Sequence, residues 1–222
     1  MNNNNTEQPY ISTGVTCNAL PHTSNLAPPT ANIRPAYPRI RFIPEFSVFK
    51  APITNTKPNN TTNLLQIYNA IKGNYYKTRT DYLRKITDPK QARQFKAANF
   101  DYCTFSGSFT TRSDKELIKH SGLLCIDFDH LQNLNDLKNH LLADEYFETQ
   151  LLFVSPSGNG LKWIIQIDTT SSPHSAYFTA VANYIQQTYN IEVDKSGRDI
   201  SRACFLPHDP QAYINPIYLK EQ

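Results

Sequence analysis

The stretch Gln150–Ile167, QLLFVSPSGNGLKWIIQI, sets two β-rich apolar runs on either side of a Ser-Pro-Ser-Gly-Asn-Gly turn. Runs of this kind around turn residues read as an antiparallel hairpin with a wide loop. Gly158 and Gly160 permit backbone conformations there that other residues resist. Along the second run Lys162, Ile164 and Gln166 share one face, while Leu161, Trp163, Ile165 and Ile167 share the other. The latter is the more apolar and is expected to face the core, which leaves Lys162 on the accessible face.

The rest of the chain adds helices and strands in alternation. Thr61 to Lys72 repeats Leu64, Leu65, Tyr68 and Ile71 at the spacing of one helical face, and Gly73 supplies a stop. Asp88-Pro89 is an N-cap followed by a first-turn proline, and opens a short basic helix toward Ala98. Tyr102 to Phe109 alternates toward a strand with a break at Gly107, and SGLLCIDFDH (121–130) reads as a buried strand. An amphipathic helix follows over Leu131 to Leu142. A second, over His174 to Tyr189, shows a stripe of Tyr177, Val181, Tyr184 and Ile185, and the closing segment reads as partly strand.

Order is expected to begin near Arg41, where Pro44 limits RFIPEFSVFK to an edge strand or an irregular segment. Residues 1–40, rich in Asn, Thr and Pro with no period that could bury a face, read as a disordered tail. Residues 41–222 then form one domain, α/β or α+β in class: a mostly antiparallel sheet with flanking helices and an RRM-like core.

A formal charge of +3 is too small for a histone-like or polybasic protein, so what matters is where the charge sits. It concentrates in Lys72, Lys77, Arg79, Arg84, Lys85, Lys90, Arg93 and Lys96, against Asp81 and Asp88 alone. Such a run suits a nucleic-acid partner and equally suits a solvated helix surface. Cys17, Cys103, Cys125 and Cys204 lack C-x-x-C spacing and read as reduced thiols of a cytoplasmic protein. No secretory signal and no membrane-spanning run is visible.

Three segments carry chemistry. Asp127 and Asp129, two apart on a strand, project from the same face about 6–7 Å apart. Like charges at the end of an apolar strand conflict unless a cation compensates them, and Mg²⁺ or Mn²⁺ prefers such oxygen ligands. The alternative is a strand that has reached solvent, with Asp129 or a neighbour capping the next helix. The second segment, SPSGNGLK (155–162), offers hydroxyls, a glycine-relaxed backbone and one cation, a combination able to hold a triphosphate. It is not a Walker A loop, because Leu161 separates Gly160 from Lys162 and a strand follows. The third, Val193 to Pro210, gathers Asp194, Arg198, Asp199, Arg202, His208 and Asp209. A third carboxylate would complete a metal site, and Arg202 could neutralise charge on phosphate; loop salt bridges are the alternative. His120 and His208 are expected to be structural rather than acid–base groups.

In this order the three segments resemble the archaeo-eukaryotic primase (primase-polymerase) superfamily: D-x-D on a strand, a small-residue turn, then a strand with a final aspartate. HSGLLCIDFDH, SPSGNGLKWII and DKSGRDISRACFLPHDP are more closely similar to the VirE N-terminal, primase-like family of plasmid, phage and mobile-element proteins, over roughly Phe46 to Tyr213. The resemblance implies metal binding by Asp127, Asp129 and Asp194, with Asp199 as the alternative third ligand. It also implies nucleotide-phosphate binding around Ser157, Gly158, Gly160 and Lys162, aided by Arg202. Lys162 stands where the superfamily usually has a histidine, and holds phosphate as a point charge.

The function so implied is a DNA primase or primase-polymerase-like domain, carrying out two-metal nucleotidyl transfer on single-stranded DNA or a primer-template with nucleoside triphosphates. The template would lie on the Lys72 to Lys96 region, and any helicase would be a separate chain. A catalytically inactive, nucleic-acid-binding replication-accessory domain is the main alternative, and a metal-dependent nuclease a further one.

Overall fold

The computed structural model of the protein describes residues 43–220, so the expected tail over residues 1–40, and Cys17 with it, lies outside the described residues. The chain runs β1 (Glu45–Phe49), β2 (Asn60–Asn63), α1 (Leu64–Lys72), α2 (Lys77–Leu83), α3 (Pro89–Asn99), β3 (Tyr102–Thr104), β4 (Gly107–Phe109), β5 (Leu117–His120) and β6 (Leu123–Phe128). It continues through α4 (Leu134–Leu142), β7 (Thr149–Val154), β8 (Leu161–Gln166), α5 (His174–Tyr189), β9 (Cys204–Phe205) and β10 (Tyr213–Ile214). A 3-10 helix, Lys195–Arg198, lies between α5 and β9. Among the described residues no helix is long and apolar enough to cross a membrane.

Local chemistry explains several boundaries. The first helix starts at Leu64 rather than Thr61, because Thr61 and Thr62 pair with β1 as strand residues and the Asn63 side chain accepts from the Gln66 N–H. β-branched threonines favour the strand, and asparagine is a strong N-cap. Leu64, Ile67 and Ile71 then line the buried face of α1. Asp88 caps α3 with Pro89 in its first turn. Pro44 falls just before β1, where its missing N–H costs no ladder bond, and β1 is an interior strand between β2 and β3, not an edge.

The strands form two four-stranded antiparallel sheets, β2-β1-β3-β9 and β10-β7-β8-β6, and a separate β4-β5 hairpin. In place of one sheet with helices over it, the molecule is layered. Leu124, Ile126, Phe128, Leu152, Trp163 and Ile165 turn from the second sheet toward α4 and α5. On its other face Leu123, Leu151, Phe153 and Ile164 pack with Phe46, Cys103 and Cys204 of the first sheet and with α1. Trp163, fully buried, donates its indole N–H to Thr149 Oγ1 at 2.8 Å, so its polar edge is satisfied inside the core.

This layering corrects the expectation for Lys162. Its face is covered by the first sheet, and the residue is only 9 % exposed. A lysine so placed needs an anion beside it.

Candidate metal centre

β6 delivers two of the carboxylates. Its buried alternation places Asp127 on the face toward the first sheet, directly opposite Lys162 on β8, and the strand ends one residue before Asp129. Asp194 arrives from far along the chain. After α5 the chain turns through Asn190 in the left-handed region (φ 54°) and returns along β6, where the Asp194 N–H donates to the Asp127 carbonyl at 3.0 Å. One ligand oxygen from each of Asp127, Asp129 and Asp194 lies within 4.8 Å of the others, close enough to share a cation. Asp199 is exposed and lines the neighbouring cleft without joining that cluster.

Cations hold two of these carboxylates. Lys162 Nζ pairs with Asp127 Oδ2, both side chains largely buried. Arg202 Nη2 donates to Asp194 Oδ2 at 2.8 Å, and the Ser196 N–H and hydroxyl bond the same carboxylate. Burial pushes the Asp194 carboxyl up, but the Ser196 bonds and the Arg202 and Lys162 charges outweigh it and hold the group below the usual carboxylate range. Burial also pushes the Lys162 ammonium down, partly opposed by the neighbouring Cys204 and Cys125. The described cysteines, Cys103, Cys125 and Cys204, are free thiols. The adjacent Cys204, and then burial, push the Cys125 thiol up, while Cys125 holds the Cys204 thiol down against burial.

Above the carboxylates opens a cleft of about 320 Å³. Asp127, Asp129, Lys162 and Arg202 line it, joined by Lys96 of α3 and Arg112 from the loop after β4. Burial is the largest influence on Lys96 and lowers its ammonium, partly opposed by the Asp129 charge. Among the described residues, three buried side-chain polar atoms lack a hydrogen-bond partner: Asp127 Oδ1, Ser155 Oγ and Arg112 Nε. All three residues line this one cleft. Unsatisfied buried polar atoms are rare and costly, and their convergence on one cleft suits a polar ligand there. An acceptor oxygen, a hydroxyl and a guanidinium N–H suit a divalent cation beside an anion.

The Ser155–Gly160 turn contributes to the cleft through Ser155, Pro156 and Ser157. Gly158 and Gly160 shape the turn instead. Gly158 takes a left-handed φ of 85°, and its N–H is used by the Ser155 carbonyl. Gly160 donates nothing to the cleft wall; a Cβ there would stand 2.2 Å from the Phe128 carbonyl oxygen, so only glycine lets the start of β8 lie against the end of β6. Arg84, from the basic run, donates to the Pro156 and Ser155 carbonyls and braces the turn from outside.

The histidines stand elsewhere. His208 bonds the Gly73 carbonyl through Nδ1, and His120 meets His174. Asp209 accepts from the Val154 and Gln211 N–H groups, closing the end of β7. Sequence reasoning placed Lys96 on a basic helix but not at the cleft, counted Ser155 only among the hydroxyls of its turn, and missed Arg112. Ser155 sits in a motif already singled out. Arg112 carries no local signal, because it reaches the cleft through its N–H bond to the Thr56 carbonyl and its packing 5.2 Å from the Tyr102 ring.

A family model described as BT4734-like, N-terminal domain, matches residues 94–214. That span holds all three clustered carboxylates, the 155–160 turn, Lys162 and Arg202. No curated protein and no solved structure matches the chain.

Proposed function

We propose that this chain, which belongs to the BT4734-like N-terminal domain family, is a nucleotidyl-transfer domain of primase type. It would hold Mg²⁺ or Mn²⁺ on Asp127, Asp129 and Asp194 and act on single-stranded DNA or a primer-template with nucleoside triphosphates. The observation that carries this reading is the convergence of every orphaned buried polar atom among the described residues on the cleft above the three carboxylates. The similarity of the three motifs to VirE N-terminal, primase-like proteins supports it, and the primase-type arrangement of the core is part of the same proposal.

Bound divalent cations would activate a 3′-hydroxyl and stabilise the leaving pyrophosphate. The chain's own groups do the rest. Asp127, Asp129 and Asp194 provide oxygen ligands from three points on the backbone. Lys162 and Arg202 neutralise Asp127 and Asp194 in the structure described. With a cation held on those carboxylates, the Lys162 ammonium and Arg202 guanidinium would be free to meet phosphate oxygens. Lys96 and Arg112 extend the positive wall, and the Ser155 and Ser157 hydroxyls face the same space.

One observation favours a second reading. The Lys162–Asp127 pair satisfies part of the carboxylate cluster without a metal, as a non-polymerising, nucleic-acid-binding accessory domain would require. Titration with Mn²⁺ in the presence of a fluorescent nucleoside triphosphate separates the two. Metal-dependent nucleotide binding that disappears in folded Asp127→Ala and Asp194→Ala proteins is expected, together with nucleotide incorporation on single-stranded DNA. Nucleotide binding indifferent to metal and to both substitutions would overturn the site.

A further inference from the structure

A second surface lies on the helices before β3. Between the start of α2 and α3 runs a shallow groove of about 410 Å³, lined by Tyr75, Thr78, Arg79, Tyr82 and Phe95. Tyr75 is 59 % and Tyr82 56 % exposed, although aromatic rings gain more than most side chains from leaving water. Neither ring swings free. Tyr82 rests on Phe95 with centroids 4.7 Å apart, and Tyr75 meets Tyr76 edge-on at 4.8 Å.

Positive charge predominates around the rings. The Arg79 guanidinium and the Lys50 ammonium each lie 5.1 Å from the Tyr75 ring. Lys72, Lys77, Lys85, Lys90 and Arg93 are exposed on the same helical region. The carboxylates near it are already engaged: Asp101 pairs with Lys50 at 3.0 Å and lies 4.0 Å from Arg79, Asp81 pairs with Lys77 at 2.6 Å, and Asp88 caps α3 by accepting from the Gln91 N–H. What this surface offers a partner is therefore flat apolar faces within a positive field.

We propose that this groove binds single-stranded nucleic acid, with bases stacked on Tyr75 and Tyr82 and backbone phosphates held by the surrounding lysines and arginines. An unpaired strand presents what the surface lacks, a planar face and a negative charge at every nucleotide. An acidic peptide would answer the charge without the rings, and a duplex keeps its base faces covered. Chain neighbours of the groove residues belong to the carboxylate cleft. Lys96, next to Phe95 on α3, lines the carboxylate cleft, and Arg84, just after α2, bonds the turn at that cleft. The inference goes beyond the metal centre and does not depend on its being catalytic.

The test is fluorescence anisotropy with labelled oligothymidylate and oligouridylate, each about 12 nucleotides long and so within the span of one such site. Chelator is present and nucleotide absent, so the carboxylate cleft contributes no metal-dependent binding and its own assay is judged separately. Tyr82→Ala and Tyr75→Ala are expected to weaken binding by about tenfold each, the scale of one lost base stack, whereas Tyr82→Phe keeps the wild-type affinity. Affinity should fall steeply with added salt, and a duplex of the same length should bind more weakly. Tighter binding of one oligomer assigns DNA or RNA as the natural strand. Melting curves confirm that the variants, altered only at exposed rings, are folded. Wild-type affinity in the Tyr75→Ala/Tyr82→Ala protein, or equal affinity for duplex and single strand, would overturn the proposal.

Discussion

The Asp127 carboxylate and the Lys162 ammonium meet across the β6–β8 ladder, each opposite the other on a face that the first sheet covers. Deleting one partner of such a pair leaves a buried charge uncompensated, at a cost of about 3 kcal/mol or more. Lys162→Met is therefore expected to melt roughly 6–12 °C lower than wild type in chelator. Added Mn²⁺ should then raise the variant's melting temperature more than the wild type's, because the cation faces no competing ammonium. A variant as stable as wild type in chelator, or unmoved by Mn²⁺, would show that Asp127 does not rely on a cation.

The third carboxylate can be tested by contrast. Asp194 belongs to the cluster, while Asp199 only lines the cleft. Asp194→Asn should weaken Mn²⁺ binding by at least about tenfold, the scale seen even for groups that only support a ligand. Asp199→Asn should leave it nearly unchanged. Calorimetric titration reads both, and equal losses would remove the distinction.

Two glycines of the same turn should differ in a defined order. At Gly160 an added methyl group would collide with the Phe128 carbonyl, a backbone atom unable to move aside, whereas at Gly158 it would meet the flexible Arg84 side chain at 3.1 Å. Gly158→Ala carries the left-handed backbone penalty of about 1–2 kcal/mol. Gly160→Ala should cost more, and should also weaken Mn²⁺ binding because Asp129 follows Phe128. Urea denaturation ranks the stabilities, and the reverse ranking would contradict the close approach of β6 and β8.

His120 and His174 should make the fold sensitive to acid. Their rings lie 3.1 Å apart between Nε2 and Nδ1, so a second proton has no place between them. Burial, and then the neighbouring His174, hold His120 down to about 4; burial also lowers His174, against its bond to the Gly197 carbonyl. Unfolded histidine takes up its proton near pH 6.5. Stability from His120 is thus complete above about pH 6.5, is lost as pH falls toward about 4, and changes no further below that, and His174 adds a loss of the same sign. Urea midpoints across this window should slope downward in wild type and flatten in His120→Asn. Gly197 sits in the 3-10 helix that Asp194 caps, so metal affinity should decline over the same range.

The parts of this architecture that follow a period were legible from residues alone. β6, β7, β8 and α5 lie where alternation and helical spacing put them, and Asp127 and Asp129 emerge from two-residue spacing on a strand. α2 carries only Thr80 and Leu83 as buried residues, too few to mark a face. β5 was equally hidden, with its LIKH half exposed. The covered position of Lys162 depends on the first sheet, whose strands come from both ends of the described chain, a layering that no window of sequence contains. Lys96, Ser155 and Arg112 come to one cleft from three distant segments for the same reason. Asp194 comes beside Asp127 through a backbone bond to β6 and the packing of the following 3-10 helix on β6 and α5, which sequence spacing cannot register.

That bond has a consequence for how copies of the protein behave toward one another. β6 ends its sheet, with β8 its sole ladder partner among the described strands, and an open strand edge is a template for recruiting a foreign strand. The Asp194 N–H occupies the Asp127 carbonyl on that edge. The segment that brings the last carboxylate therefore also covers part of that edge, and variants that detach it are expected to self-associate as well as to scatter the carboxylate cluster.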